Sequence, residues 1–253
     1  MIALTDTELL RMTGHRLKDA YFDKAVLPIG STEYHGEHLP FGTDTLVADS
    51  IASAVAGRVE GMLKLPAMPY GMSHHYSSFP MVLTLDTETL VRVLKELMES
   101  LNVHGVKRLL VVNGHDGNIP ALEAASREYR SAHPEFKVAA LEAWWVTAGE
   151  LLPKGTFEAW GGLGHAGEGE TSMMLRVAPE LVNMNKARGH IPVLPEHVQV
   201  KWLFREITPY GVTGDPTKAT SEKGIMMWDA LVDHLVSFVR EMDGNGWEVD
   251  KQK

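Results

Sequence analysis

A carboxylate and an imidazole, Glu33 and His35, follow the short apolar run Ala25 to Ile29, and Asp44 comes after a loop punctuated by Gly36, Pro40 and Gly42. In extended chain, side chains at i and i+2 point to the same face. Glu33 and His35 can therefore converge on one point, with Asp44 closing the cluster from the far side of the loop. Two carboxylates and a neutral imidazole make a mixed oxygen and nitrogen ligand set suited to zinc, manganese or iron. Each residue also has a plainer use. Asp44 behind Thr43 can cap a following helix, Glu33 and His35 can be solvated loop residues, and His38 can be a hydrogen-bonded histidine.

Two further stretches carry similar chemistry. Asn113-Gly114-His115-Asp116-Gly117-Asn118 ends the apolar run Leu109 to Val112. It offers His115 as a third ligand, or reads as a tight turn, since Asn, Asp and Gly dominate turns for backbone reasons. Gly164-His165-Ala166-Gly167-Glu168-Gly169-Glu170 places His165 in a glycine-lined loop, which suits a residue that transfers protons close to a substrate. Glu170 lies at a helix start, where a carboxylate is favoured by the helix dipole alone. The same loop matches G-x-G-x-x-G from Gly162 to Gly167, but Phe157 to Trp160 is not a buried strand pattern. The acidic residue expected about 20 positions further on is also missing, with Asn183 and Asn185 in that neighbourhood. A nicotinamide site is therefore disfavoured. Of His74 and His75, at most one can face a metal, and substrate contact or loop packing suits them better.

These residues need a scaffold that brings strand ends together. Apolar positions predict a leading helix with a loop over Asp6 to Phe22, and strands at Ala25–Ile29, Leu63–Met68, Lys107–His115 and Val138–Ala143. Helices are expected from Thr43 (Leu46, Val47, Ile51, Ala54 and Val55 at helical spacing), from Asp86, over Ile119–Tyr129, over Glu170–Val177, and over Ser221–Met242. Strands alternating with helices predict βαβ units and a mainly parallel sheet with helices on both faces. No repeat or long linker divides the chain, so one α/β domain over residues 1–253 is expected. Ligands in open α/β sheets bind beyond the carboxyl ends of the strands. Glu33, His35 and His115 would share that rim, with Trp144 and Trp145 after the Val138 strand.

Bulk composition narrows the function. A formal charge of -9 and no Lys/Arg run argue against nucleic-acid and anionic-membrane partners. With no cysteine, a metal must be held by His, Asp and Glu. Met1 to Glu8 lacks the features of a signal peptide, and no stretch reaches transmembrane length, so a soluble, cytoplasmic protein is expected.

Assembled, these residues resemble the creatininase (creatinine amidohydrolase) family over nearly the whole length. The matching blocks are Gly30 to Asp44, Asn113 to Asn118, His165 to Ser172, and Asp215-Pro216 with Ala219 to Gly224. The resemblance implies a three-layer α/β/α sandwich, a homohexamer, a small-molecule substrate and a site for two divalent ions (Zn, Mn or Fe). It implies Glu33, Asp44 and His115 around one ion, His35 with a bridging Asp44 around the second, and His165 as the proton-transferring histidine. Creatininase has a glutamate ligand shortly after its metal histidine, where this chain has Asp116 and Gly117, and Glu170 is expected to take its place. His75, Asp116 and Trp144 are the expected substrate contacts. The family often carries Phe-Pro-Gly-Thr where this chain reads Phe79-Pro80-Met81-Val82. That departure, with a missing tyrosine, disfavours creatinine itself.

The implied reaction is hydrolysis of a cyclic amide or formamide by metal-activated water. The family also contains a peptide-processing member and a hydrolase of a C–C bond in an oxidised inositol. Cleavage of such a cyclitol C–C bond, a nicotinamide-dependent oxidoreductase and a non-catalytic metal-binding subunit are the competing readings.

Overall fold

The runs at Ala25–Ile29 and Leu109–Val112 are apolar at every position, so a strand made from either is stable only when covered on both faces. A computed structural model, which describes residues 7–18, 20–195 and 197–249, meets that requirement. After a 3-10 turn at Leu9–Arg11 and a short helix α1 (Gly14–Lys18), the order is β1 (Lys24–Ile29), α2 (Thr43–Ala56), β2 (Met62–Lys64), α3 (Thr87–Val103), β3 (Arg108–Asn113), α4 (Ile119–Ala132) and β4 (Lys137–Leu141). Then come α5 (Trp144–Leu151), α6 (Glu168–Val177), α7 (Phe204–Ile207) and α8 (Ser221–Gly244).

The four strands form a parallel sheet in the order β2-β1-β3-β4. Alternate residues serve opposite layers. Ala25, Leu27, Ile29, Leu109 and Val111 pack with Leu90 and Leu94 of α3 and Leu122 of α4. Val26, Leu110 and Val112 pack with Val47 and Ile51 of α2, Met173 of α6 and Leu231 of α8. The result is the expected α/β/α arrangement.

β1 leads through α2 to β2 on one side, while β3 lies on the other side of β1, so the chain diverges at the carboxyl ends of β1 and β3. That is where open parallel sheets leave a crevice. Pairing reaches the last residues of both strands, Ile29 opposite Asn113, and one bond runs past them, Gly114 N–H donating to the Ile29 carbonyl at 2.8 Å. Two glycines let the first turn of α2 press onto these ends. A Cβ on Gly30 would collide with Thr45, and one on Gly114 with the Asp44 backbone.

Two local expectations are corrected. The leading helix, whose expected start at Asp6 lies outside the described residues along with most of the Met1–Glu8 stretch, reduces to the 3-10 turn and α1, which bury no residue. Without a covered face, so short a segment cannot propagate as one long helix. The second strand narrows to Met62–Lys64, with only an isolated bridge from Met68 to Ile29 beyond it. The Gly162–Gly167 motif follows a 3-10 turn, Trp160–Gly162, and not a strand, so the dinucleotide-binding arrangement is not formed.

Candidate metal centre

Glu33, His35 and Asp44 are brought together from the two ends of the β1–α2 connection, and His115 arrives from the end of β3. Glu170 comes from the first turn of α6. All five are buried, none more than 8% exposed. Their ligand atoms form two triads, Glu33–Asp44–His115 and His35–Asp44–Glu170, each within 4.8 Å and sharing Asp44. His35 Nε2 lies 2.9 Å from Asp44 Oδ1 and 3.8 Å from Glu170 Oε2. His115 Nδ1 lies 3.3 Å from both Glu33 Oε2 and Asp44 Oδ2.

The other ring nitrogen of each histidine is committed to a backbone carbonyl. His35 Nδ1 donates to Glu33 O at 3.2 Å, His115 Nε2 to Met72 O at 3.0 Å, and His165 Nε2 to Tyr34 O at 2.8 Å. Such outer partners fix ring orientation and tautomer, leaving the remaining nitrogen to face the cluster. Ser31 and Ser73 donate to Glu33 Oε2 at 2.8 and 2.7 Å. Yet Glu33 Oε1 and Asp44 Oδ2 are buried without a hydrogen-bond partner among the described residues. Buried carboxylate oxygens are costly when unpaired, and two of them facing imidazole nitrogens fit a cation. The donor set, carboxylate oxygen with imidazole nitrogen and no sulfur, fits zinc, manganese or iron.

The electrostatics agree. Burial pulls His35 down, but Asp44, Glu170 and Glu33 overcome it and raise it to about 9. His115 is likewise lifted well above its ordinary value against the pull of burial, by Glu33 and Asp44. The same field favours a divalent cation. Burial, reinforced by Asp44 and Glu33 against the pull of His35, pushes Glu170 up to about 7. Burial, then His35, holds His165 well below the usual range, so its imidazole is neutral. His165 Nδ1 sits 3.6 Å from Glu33 Oε1, and Glu33–His35–His165 forms a third group within ligand range.

A cavity of about 680 Å³ opens onto the cluster, lined by Asp44, His115, His165 and Glu170 together with His75, Asp116, Trp145, Tyr76, Lys201, Trp202 and Phe204. His75 and Asp116 thus reach it as expected. Trp144 does not. Its indole is 1% exposed and packs in the core with α8 and α2 residues, while Trp145 faces the cavity. Both begin α5, where one residue turns the side chain by roughly 100°. Sequence reasoning also missed Ser31 and Ser73, Tyr76, and the wall formed by Val200 to Phe204. The run Trp202-Leu203-Phe204, apolar but outside any periodic element, was the available signal. Asn113 and Asn118 hold the rim by donating to His115 O, Glu142 O and Gly30 O at 2.7 to 3.0 Å, so the turn reading of that block is also true.

The family model Creatininase, described as creatinine amidohydrolase, matches residues 11–239. The mycofactocin precursor peptide peptidase of Mycobacterium ulcerans (strain Agy99) is 34% identical over 84% of this chain and 82% of its own length. The creatinine amidohydrolase of Pseudomonas putida is 31% identical over 85% and 88%. A solved structure named "Creatininase Mn" superposes with a TM-score of 0.79 at 27% identity, covering 93% of this chain and 98% of that one. Agreement in sequence over most of both chains, on the same fold, leaves one assignment: the chain belongs to the creatininase (creatinine amidohydrolase) family.

Proposed function

We propose that this chain hydrolyses an amide C–N bond with water activated at a pair of divalent metal ions. The observation that carries this reading is the two buried triads sharing Asp44, with bare carboxylate oxygens on Glu33 and Asp44. Glu33, Asp44 and His115 would hold one ion, and His35, Asp44 and Glu170 the other. Bound there, such ions lower the pKa of water and polarise a carbonyl.

The protein's own groups do the rest. Asp44, the residue common to both triads, keeps the two positions close. Ser31 and Ser73 orient Glu33 by donating to Oε2, so Oε1 stays turned toward His165. His165 is neutral and pinned at Nε2 by the Tyr34 carbonyl, which leaves Nδ1 free to take the proton of the attacking water. It then delivers that proton to the departing nitrogen. The aromatic walls of the cavity, Tyr76, Trp145 and Phe204, bury the substrate and thin the surrounding water.

Two amide classes fit. The similarity to a peptide peptidase and a cavity of about 680 Å³, ample for more than one residue, favour a peptide bond. The family reaction on a cyclic amide favours a lactam or formamide. Assembly as a homohexamer belongs to the same reading, supported by the exposed apolar side chains Val193, Val198 and Trp202. No helix among the described residues is long and apolar enough to cross a membrane.

The test is elemental analysis followed by a panel of acetylated dipeptides, formamides and lactams, before and after chelation. About two ions per chain and chelator-sensitive hydrolysis are expected. His165→Ala should lower turnover by about 10²- to 10⁴-fold at unchanged metal content. Metal loss in that variant would remove His165 from the proton-transfer role.

A further inference from the structure

We propose that the Tyr76 hydroxyl is the protein's hydrogen-bond donor to the substrate's carbonyl oxygen as that oxygen becomes an oxyanion. Amide hydrolysis creates negative charge on this oxygen, and a preorganised donor aimed at it lowers the barrier. The groups nearest the reacting point cannot serve. Glu33, Asp44 and Glu170 are carboxyl groups in the candidate ion triads. His35, His115 and His165 have each spent one ring N–H on a backbone carbonyl, and their other nitrogens face the cluster.

Tyr76 is placed differently. Its residue is 5% exposed, yet it lines the cavity, and its hydroxyl has no hydrogen-bond partner among the described residues. A tyrosine on a cavity wall, apolar in its body and polar at its tip, can donate from its hydroxyl to what enters the cavity. A phenol keeps its proton at neutral pH (ordinary pKa about 10) and donates without being consumed.

The ring is also held firmly. It lies 4.5 Å from the His165 ring, 4.3 Å from Phe204 and 4.3 Å from His75. Its backbone N–H bonds the carbonyl of Ser73 at 2.9 Å, and the Ser73 hydroxyl holds Glu33 at 2.7 Å. A single 3-10 turn, His74–Tyr76, thus ties the phenol to the carboxylate that the metal reading needs. His165 on one side of the ring would manage the leaving nitrogen, while Tyr76 meets the carbonyl oxygen of the same amide. No bond forms or breaks at Tyr76, and its proton stays on its own oxygen.

This inference rests on the amide-hydrolase reading for its reaction, but its test does not depend on turnover alone. The metal-loaded protein and Tyr76→Phe, which removes one oxygen and keeps the ring, are compared in three measurements: metal content, calorimetric titration with phenylphosphonate as a tetrahedral oxyanion, and hydrolysis of the amide panel. We expect equal metal content, phenylphosphonate affinity at least tenfold weaker in the variant, and kcat lowered about 100-fold with KM little changed. Equal phenylphosphonate affinity in the two proteins, no binding by the wild type, or metal loss in the variant would each overturn the proposal. If the wild type discriminates in phenylphosphonate binding but hydrolyses no amide, the donor role stands and the amide reading falls.

Discussion

Glu168 and Glu170 stand two residues apart in the first turn of α6, both buried, at 0% and 8% exposure, and they have opposite surroundings. Glu168 is satisfied: its oxygens accept from the backbone N–H groups of Glu158 and Ala159, the latter at 2.7 Å, and from Lys223 Nζ at 2.6 Å. Glu170 has one backbone donor, Ala166 N–H, and faces His35 and Asp44. The contrast teaches that burial alone does not mark a functional carboxylate. A buried carboxylate whose lone pairs are all occupied secures structure. One left short of donors beside other acceptors has room for a cation.

The largest expected effect that would break this comparison comes from Asp44, the residue shared by both triads. Asp44→Asn should lower metal affinity by more than about 100-fold, beyond what an outer partner costs, and turnover with it. Metal analysis after dialysis checks this, and full retention of metal would end the shared-ligand reading.

The two α6 glutamates then make a matched pair. Glu168→Gln should weaken folding by about 1.5 kcal/mol, because Lys223 loses one charged partner and keeps Glu158, while metal content is kept. Glu170→Ala should do the reverse, dropping one ion per chain with little change in the melting of the metal-free protein. Denaturant titration and elemental analysis of both variants distinguish the roles, and identical behaviour would mean that the two carboxylates play the same part.

Ser73→Ala tests an intermediate case, since Ser73 donates to Glu33 Oε2 without belonging to either triad. A roughly 10- to 100-fold loss of metal affinity is expected. An unchanged affinity would show that Glu33 is oriented by Ser31 alone.

A further effect concerns pH. In the metal-free protein His35 is held at about 9, above its unfolded value of 6.5. The folded state therefore keeps a proton that the unfolded state releases. That stability is fully present below pH 6.5 and is lost as pH rises through 9, at a slope of about 1.4 kcal/mol per unit for one proton. Melting of chelator-treated protein across this range should show the decline, and His35→Asn should make it shallower, with His115 still contributing its share. A wild-type melting temperature that does not fall between pH 6.5 and 9 would contradict the assigned shift.

Much of the scaffold was legible because it depends on local pattern. The unbroken apolar runs of β1 and β3 demand cover on both faces, and the 3.6-residue spacing of Leu46, Val47, Ile51 and Val55 marks α2. Glu33, His35, Asp44 and His115 were readable as a group because each follows a strand end or opens a helix. Residues that depend on partners far along the chain were not readable. Ser73 is 40 residues from Glu33, and nothing local shows that the two meet. Trp144 and Trp145 differ by one helical step, and the helix phase decides which faces the cavity. Met81 also illustrates the limit. Where the family resemblance calls for glycine, this chain keeps a left-handed backbone (φ 56) with a side chain that tolerates it poorly.

By itself the sequence determined most of the elements, the sheet type and the ligand chemistry available, since periodicity, strand-end position and residue type are local properties. Only the tertiary structure decided which carboxylates would be satisfied and which left open. That depends on the distances between α6, the β1 loop and Lys223 of α8, segments whose meeting is set by the packing of both helical layers on the sheet.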